Sequence, residues 1–147
     1  MISSLHHVSF TVSDMERSLT FYRDILGLKV LWDSKQEGVR FKGSAAEKIT
    51  GCSGAEMHIV FLAAGDNRIE LIEYTPEGKP LVDHRACDIG SAHVCFKTQN
   101  IQELYERLIV NRVRVHCPPQ ILGRARVFYF RDPDGIILEA AQGELPA

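Results

Sequence analysis

The sequence predicts an α+β fold made of two copies of one module, and three observations support this prediction. Residues 7–10 (HVSF) return 86 positions later as residues 93–96 (HVCF). Polar residues and then a segment with helical spacing of apolar side chains follow each copy. Each half also ends in an aliphatic strand with one acid, Glu70 in the first half and Glu139 in the second. We therefore interpret the chain as two modules that offer two histidines and two glutamates to one metal ion.

Length and composition are typical of a single soluble domain. The chain has 147 residues, of which 45% are hydrophobic and 24% charged, with a formal net charge of −2. It has no basic stripe, so no nucleic-acid partner is expected. No signal peptide is recognisable, and no apolar run reaches about 18 residues, so we expect a cytoplasmic protein without a membrane partner. The four cysteines form no C-x-x-C pair, which disfavours a zinc knuckle.

The first module begins with a strand and a helix. Residues 5–12 alternate between apolar and polar side chains, which predicts a half-buried strand with His7 on its polar face. Asp14 is a residue type that caps the N-terminus of a helix, and Gly27 is the type that follows the C-terminus. A helix is therefore predicted between them, and residues 28–32 predict the next strand.

An irregular segment and a hairpin complete the first module. Residues 35–55 contain four glycines and predict little regular structure apart from a short helix over 45–49. Two predicted strands, at 57–63 and 68–74, flank the turn-rich residues 65–67, which indicates a hairpin. The acidic strand of this module is therefore the second strand of the hairpin.

A loop at residues 77–88 separates the modules, which we place at about 1–80 and 88–143 of one 147-residue domain. The second module repeats the first strand at 91–97 and the helix at 101–110. Three further strands are predicted at 113–117, 126–130 and 136–141. Two prolines end the first of these strands, and the DPDG segment before the last one is typical of a type I turn.

Two imidazoles and two carboxylates suit a divalent metal ion of intermediate softness, namely nickel, zinc, cobalt, manganese or iron(II). An ion with six coordination positions would keep two of them for water or for substrate oxygens. Such an ion polarises a carbonyl group, and a carboxylate beside it can act as a general base. The two carboxylates could serve opposite faces of a small-molecule substrate.

Other ionisable residues compete for these roles. Glu73 lies three positions after Glu70, so a strand places the two on opposite faces, and we expect Glu73 to be solvated. His58 and His84 have no counterpart in the other module, and we expect both at the surface. Several basic side chains on predicted strands could hold an anionic substrate or be solvated: Arg40, Lys42, Arg68, Arg124 and Arg126.

Six motifs along the chain carry a family resemblance. They are LHHV at 5–8, VSD at 12–14, FYRDILGL at 21–28, IEL at 69–71, SAHV at 91–94 and DPDGIILE at 132–139. Together they cover nearly the whole chain, and they are similar to motifs of the vicinal-oxygen-chelate superfamily, also called the glyoxalase/bleomycin-resistance/dioxygenase group. The resemblance implies two βαβββ modules that form a cupped mixed sheet around one metal ion, usually in a homodimer.

Carried over by position, the resemblance implies that His7, Glu70, His93 and Glu139 bind the metal ion. This ligand set is most similar to that of bacterial glyoxalase I, a metal-dependent lyase. In that mechanism a hemithioacetal derived from a 2-oxoaldehyde binds the metal, and Glu139 would remove the carbon-bound proton. Glu70 would be the second acid or base, and the metal would stabilise the enediolate. The implied activity is that of a lyase or isomerase.

Two alternatives remain open at the same residues. One is a methylmalonyl-CoA-type epimerase or an extradiol-type dioxygenase, although epimerases of this kind usually have Gln at the position of Glu70. The other is a dimer that binds a small molecule, such as a drug, without catalysis. Binders of this superfamily often lose the metal ligands, so the intact set favours an enzyme.

Overall fold

The computed structural model describes residues 1–145, so the last two residues of the predicted domain, 146 and 147, lie outside the described part. The chain divides into two compact units, Met1–Pro80 and Leu81–Ala147. We call these the first and the second unit. Among the described residues, no helix has the length and apolar character needed to cross a membrane.

The first unit contains five strands and two helices. In chain order they are β1 (Val8–Val12), α1 (Met15–Leu19), β2 (Lys29–Asp33), β3 (Phe41–Lys42), α2 (Ser44–Thr50), β4 (Glu56–Ala64) and β5 (Asn67–Thr75). Helix α1 continues as a π-helix over Thr20–Ile25. The strands form one sheet in the order β1-β5-β4-β2, with β3 also paired to β4. Strands β1 and β5 are parallel, and the other pairs are antiparallel.

The second unit has the same order of strands and helix as the first, but its described residues contain no counterpart of β3 and α2. Its elements are β6 (His93–Lys97), α3 (Ile101–Val110), β7 (Gln120–Leu122), β8 (Ala125–Arg131) and β9 (Ile137–Gly143). They form a sheet in the order β6-β9-β8-β7, in which β6 and β9 are parallel and the other pairs antiparallel. The α+β fold and the mixed sheets are therefore confirmed.

The alternation predicted for the first strand decides which face of the sheet is buried. Phe10 and Val12 are buried, whereas Ser9 and Thr11 are exposed. Tyr22, on the helical segment, is fully buried and stacks on Phe10 with 6.0 Å between ring centroids. The apolar face of β1 therefore packs under the helix. The polar face, on which the predicted metal ligand His7 lies, is left free of the helix.

The turns and the helix start follow the predicted residue chemistry. Asp14 accepts a hydrogen bond from the Arg17 backbone N–H, as an N-cap does. Gly27 has a φ of +79°, which a residue with a Cβ rarely adopts, and it ends the helical segment. In the second unit, the Gly135 N–H donates to the Asp132 carbonyl at 3.1 Å and closes the DPDG turn.

One predicted strand is wrong. Residues 113–117 contain only an isolated bridge from Val115 to Phe130, and the strand that pairs with β8 is β7, after the two prolines. Residues 118 and 119 are both proline and have no backbone N–H to donate, so a ladder cannot run through them. Pairing with β8 resumes only after the prolines, where residues again have backbone N–H groups. The alternation of apolar residues alone does not reveal this shift of the strand.

Candidate metal centre

The same strand register places a histidine and a glutamate together in each unit. In the first unit Ser9 lies opposite Glu70 on the parallel β1–β5 ladder. In the second unit Cys95 lies opposite Glu139 on the parallel β6–β9 ladder. The candidate histidine of each unit stands two residues before Ser9 or Cys95, so it shares a sheet face with its acid. The two units therefore repeat the same strand register as well as the same sequence motifs.

Each histidine contacts the glutamate of its own unit. The distance from His7 Nε2 to Glu70 Oε2 is 3.3 Å, and that from His93 Nε2 to Glu139 Oε2 is 3.2 Å. Both carboxylate side chains are largely buried, with 11% and 14% of their surface exposed. Burial of a carboxylate is costly unless it has a polar partner, and the imidazole provides that partner in each unit.

The spacing of these donor atoms also fits two neighbouring ligands of one metal ion. Zinc-type ions hold nitrogen and oxygen ligands at about 2.1 Å, so ligands at octahedral to tetrahedral angles lie roughly 3.0–3.4 Å apart. Both observed distances fall in this range. Within neither unit do three or more described His, Cys, Asp or Glu side chains gather into a set that could hold a metal ion. Each unit therefore supplies two ligands of the predicted set.

The side chain of His6, itself held by Arg68, orients His7. Its Nδ1 lies 2.8 Å from Nδ1 of His6, and Arg68 Nη1 lies 2.9 Å from Nε2 of His6. Because a guanidinium can only donate, His6 accepts from Arg68 through Nε2. This chain of contacts fixes the ring of His7 with Nε2 toward Glu70.

An aromatic residue completes the cluster in each unit, and sequence reasoning missed both. Phe61 lies opposite Glu70 on β4, and Tyr129 lies opposite Glu139 on β8. Their rings contact the histidines, with centroid distances of 5.5 Å to His7 and 4.9 Å to His93. The signal in the sequence was faint, because the aromatic precedes its acid by nine positions in one unit and by ten in the other.

The second unit differs from the first in carrying ionisable side chains, a thiol and a phenol, at these equivalent positions. The Tyr129 hydroxyl lies 3.4 Å from His93 Nε2. Burial, and then the nearby Glu139 and Cys95, raises the pKa of Tyr129. Burial, followed by the charge of Glu139 and a hydrogen bond to it, raises the pKa of the Cys95 thiol to about 11. Both groups therefore remain protonated near neutral pH, whereas the first unit has a serine and a phenylalanine there.

Three expectations about the competing residues are wrong. His58, expected at the surface, is only 7% exposed, and its Nε2 lies 2.9 Å from Asp33 Oδ1. His84, also expected at the surface, is half-buried and its Nδ1 is enclosed. Glu73 lies on the opposite face from Glu70, as predicted, but it is not simply solvated. It accepts a hydrogen bond from the Met15 backbone N–H at 3.1 Å and so ties β5 to the start of α1.

Comparison with known proteins identifies relatives over the whole chain. Residues 4–140 match the model of a family described as the Glyoxalase/Bleomycin resistance protein/Dioxygenase superfamily. The metallothiol transferase FosB of Staphylococcus saprophyticus is 50% identical over 153 aligned positions, which cover 99% of this chain and 80% of the relative. An ethylmalonyl-CoA/methylmalonyl-CoA epimerase of Cereibacter sphaeroides is 25% identical and is matched over 97% of this chain and 99% of its own length.

The fold also matches solved structures. A glyoxalase family protein from Bacillus cereus superposes with a TM-score of 0.78 at 23% identity, over 97% of this chain and 95% of that protein. At this level of identity the likeness concerns the fold. The relatives thus include an enzyme named for thiol transfer and one named for epimerisation, two chemistries on one architecture.

Proposed function

Because the chain belongs to the Glyoxalase/Bleomycin resistance protein/Dioxygenase superfamily, we propose that it is a metal-dependent enzyme that transfers a proton on a small substrate, in the manner of glyoxalase I. His7, Glu70, His93 and Glu139 would hold one divalent ion. The observation that carries this proposal is the pair of His–Glu contacts at the same register in both units, with donor atoms 3.2–3.3 Å apart.

The two carboxylates distinguish proton transfer from simple binding. Glu139 would act as the base that removes a carbon-bound proton, and Glu70 would act as the second acid or base. When bound, the divalent ion would polarise substrate oxygens and offset the negative charge that develops on them. An intact pair of acids is unnecessary for a protein that only sequesters a ligand, so this feature favours an enzyme.

The protic side chains of the second unit support the same reaction. Cys95 and Tyr129 remain neutral beside Glu139, so neither competes with it as a base near neutral pH. The Tyr129 hydroxyl can donate a hydrogen bond to a substrate oxygen, because an O–H group rotates to suit its acceptor. Glu139 is then available to accept a proton, and its neighbours can stabilise the developing negative charge.

A second candidate is transfer of a thiol to a small electrophile. The observation that favours it is the 50% identity to a protein named as a metallothiol transferase. In this reaction the divalent ion would activate an oxygen of the electrophile, and no carbon-bound proton of the substrate would be removed. The fate of that proton therefore separates the two candidates.

The test uses the full chain loaded separately with nickel, zinc or manganese. The probe is the hemithioacetal formed from methylglyoxal and glutathione, followed in deuterated water. We expect product formation with deuterium entering the substrate carbon, and Glu139→Gln should lower the rate by a factor of about 10² or more, as loss of a general base typically does. Glu144→Gln, which changes an exposed acid paired with Arg124, is the matched control and should retain the rate.

Other outcomes would redirect the assignment. Loss of free thiol in a mixture with a small epoxide, without exchange of carbon-bound hydrogen, would support thiol transfer. Exchange on a methylmalonyl thioester would indicate epimerisation, and oxygen uptake that requires iron(II) would indicate a dioxygenase. Ligand binding that survives Glu139→Gln, with turnover of none of these probes, would contradict both candidate reactions and indicate a non-catalytic binder.

A further inference from the structure

A row of aromatic side chains crosses the first sheet from the His7–Glu70 pair to the sheet edge formed by β2 and β3. Phe61 on β4 lies opposite Glu70, and its ring centroid lies 5.5 Å from that of His7. Trp32 on β2 lies opposite Phe61, with 6.2 Å between ring centroids, and Phe41 on β3 lies 6.2 Å from Trp32. We call Phe61, Trp32 and Phe41 the aromatic row. Its spacing is that of aromatic rings in contact, so the row is continuous with the predicted metal ligands.

The aromatic row lies on the face of the sheet that the helical segment does not cover. Phe10, which packs under that segment, lies opposite Leu71, and Leu71 lies opposite Val60. These three side chains therefore share the face under the helix, where Leu71 and Val60 are fully buried. Phe61 follows Val60 on β4 and so points to the other face. The aromatic row thus shares its face with Glu70.

Strand β4 is apolar on both faces. Val60 and Leu62 point to the helix, whereas Met57, Ile59 and Phe61 point to the face of the aromatic row. An antiparallel sheet with one face in water normally alternates apolar and polar residues. Apolar side chains on the second face therefore indicate that this face also binds an apolar group.

The exposed area of the aromatic row decides between a small molecule and a protein partner. Phe41 is 36% exposed and the other two rings are half-buried. The row therefore exposes on the order of 200 Å², because an aromatic side chain has about 150–250 Å² of surface. A stable protein interface needs about 800 Å² from each partner. The exposed area suits one ring of a small molecule and is too small for a protein partner.

The second unit has polar rings at the same register. Tyr129 lies opposite its acid as Phe61 does in the first unit. Beside Tyr129, where the first unit has Trp32, the backbone N–H of His116 donates to the Tyr129 carbonyl at 2.8 Å. His116 in turn accepts a hydrogen bond from Arg131. Among the described residues, the hydrocarbon rings at this register therefore come from the first unit.

We propose that the aromatic row binds an aromatic group of the substrate, whose oxygens are held at the metal centre. This proposal rests on the proposed function, since it takes His7 and Glu70 as metal ligands. The row begins at His7, so the remainder of a small molecule held there lies along Phe61 and Trp32. Small-molecule sites combine apolar and aromatic walls with a few polar groups or a metal, and aromatic pairs add to the free energy of burial.

The test uses hydroxamates, which chelate a divalent ion through two oxygens, and the full chain loaded with zinc. Benzohydroxamate, cyclohexanecarbohydroxamate and acetohydroxamate share the chelating group and differ in the attached phenyl, cyclohexyl or methyl group. By calorimetry we expect benzohydroxamate to bind at least roughly tenfold more tightly than acetohydroxamate, and more tightly than the cyclohexyl compound. Binding is measured without turnover, so the result does not depend on which reaction the protein catalyses.

The location is tested by fluorescence, because Trp32 is the only tryptophan in the sequence. Benzohydroxamate should quench its emission much more than acetohydroxamate does. By calorimetry, Trp32→Leu and Phe41→Ala should each reduce the preference for phenyl over methyl at least threefold and leave acetohydroxamate binding unchanged. Ile49→Ala, which removes an 85% exposed aliphatic side chain from α2, is the control and should retain the preference. Thermal melting shows that each variant is folded.

The possible failures separate this proposal from the proposed function. Equal affinity for benzohydroxamate and acetohydroxamate would overturn the aromatic subsite and leave the metal centre standing. So would a preference for phenyl that both variants of the row retain, or one that the cyclohexyl compound matches. If no hydroxamate bound the zinc-loaded chain at millimolar concentration, the metal centre and the subsite would both be refuted.

Discussion

At the residue scale, Arg131 links three parts of the second unit. It is only 6% exposed, and it donates hydrogen bonds to His116 Nε2 at 3.1 Å, to the Gly135 carbonyl at 2.7 Å and to the His84 carbonyl at 2.8 Å. One guanidinium therefore holds the end of β8, the turn that leads into the acidic strand β9, and the segment that precedes β6. The contact with His116 makes this link sensitive to pH, because the imidazole must be neutral to accept.

Burial, and then the charges of Arg131 and Arg114, lowers the pKa of His116 below its ordinary value. The unfolded chain therefore takes up this proton at a higher pH than the folded chain does. The stability that neutral His116 contributes is fully present above the unfolded pKa of about 6.5 and is lost as the pH falls through the folded pKa. We predict that the free energy of unfolding in urea falls less between about pH 7 and pH 5 in His116→Gln than in the natural protein.

Arg126→Met is the control for this pH experiment, because it removes an exposed arginine from β8, the strand that carries Arg131, and leaves His116 unchanged. It should reproduce the natural pH dependence. Equal pH dependence in His116→Gln and the natural protein would contradict the assignment.

Residues with a counterpart in the repeat could be predicted, and residues without one could not. The closeness of His7 to Glu70 could be predicted because the same His and Glu motifs return in the second module, where the structure shows the same strand register. His58 was not, because its partner Asp33 lies 25 positions away and no local pattern joins them. The contact of Glu73 could not be predicted either, because its hydrogen bond crosses 58 positions to the start of a helix. Such contacts depend on the tertiary fold, which residue spacing in one strand does not encode.

At the element scale, the helix that follows the first strand of each unit begins with the same type of side-chain N-cap. Asp14 accepts from the Arg17 N–H at 3.0 Å, and Asn100 accepts from the Glu103 N–H at 3.2 Å. In α3 the Glu103 carboxylate also accepts from the Asn100 side chain, which adds to the cap. The helix bounds were therefore largely predictable from local residue chemistry. The bounds of β7 were not, because the two prolines before it move the ladder along the chain.

Removal of either cap should destabilise the protein by a similar amount. We predict that Asp14→Ala and Asn100→Ala each lower the free energy of unfolding by about 1 kcal/mol, because a backbone N–H at the helix start loses its acceptor. Urea unfolding at neutral pH measures the difference. Asp24→Ala is the matched control, since Asp24 is exposed and, among residues 1–145, pairs with its neighbour Arg23 alone, and it should leave the free energy of unfolding nearly unchanged. A loss no larger than that of the control would show that the caps do not contribute.

At the scale of the whole molecule, the proposed metal centre requires the two units to act together. Each unit would supply one imidazole and one carboxylate, and two ligands hold a divalent ion more weakly than the three or four protein ligands of most sites. We predict that the purified protein binds one ion per chain, and that His7→Ala and His93→Ala each lower the occupancy to near zero by elemental analysis. His6→Ala, which leaves all four proposed ligands in place, should bind the ion with at most a modest loss. If each pair bound its own ion, each of the two ligand variants would instead keep half of the metal.

The source of the four ligands, from one chain or from two chains of a homodimer, is decided by mixing the two variants. In a dimer with shared sites, a His7→Ala chain and a His93→Ala chain together contain one site with both histidines intact and one site with neither. Each mixed dimer should then regain about half of the natural occupancy, because closed two-fold symmetry gives every dimer two equivalent sites. Random pairing makes about half of the dimers mixed, so the whole mixture should regain about a quarter of the natural occupancy. If all four ligands came from one chain, every site in the mixture would lack a histidine and no metal would return. We predict recovery, since the family resemblance implies a homodimer and we propose that its two chains share each site, and refolding the mixture from denaturant before elemental analysis measures it.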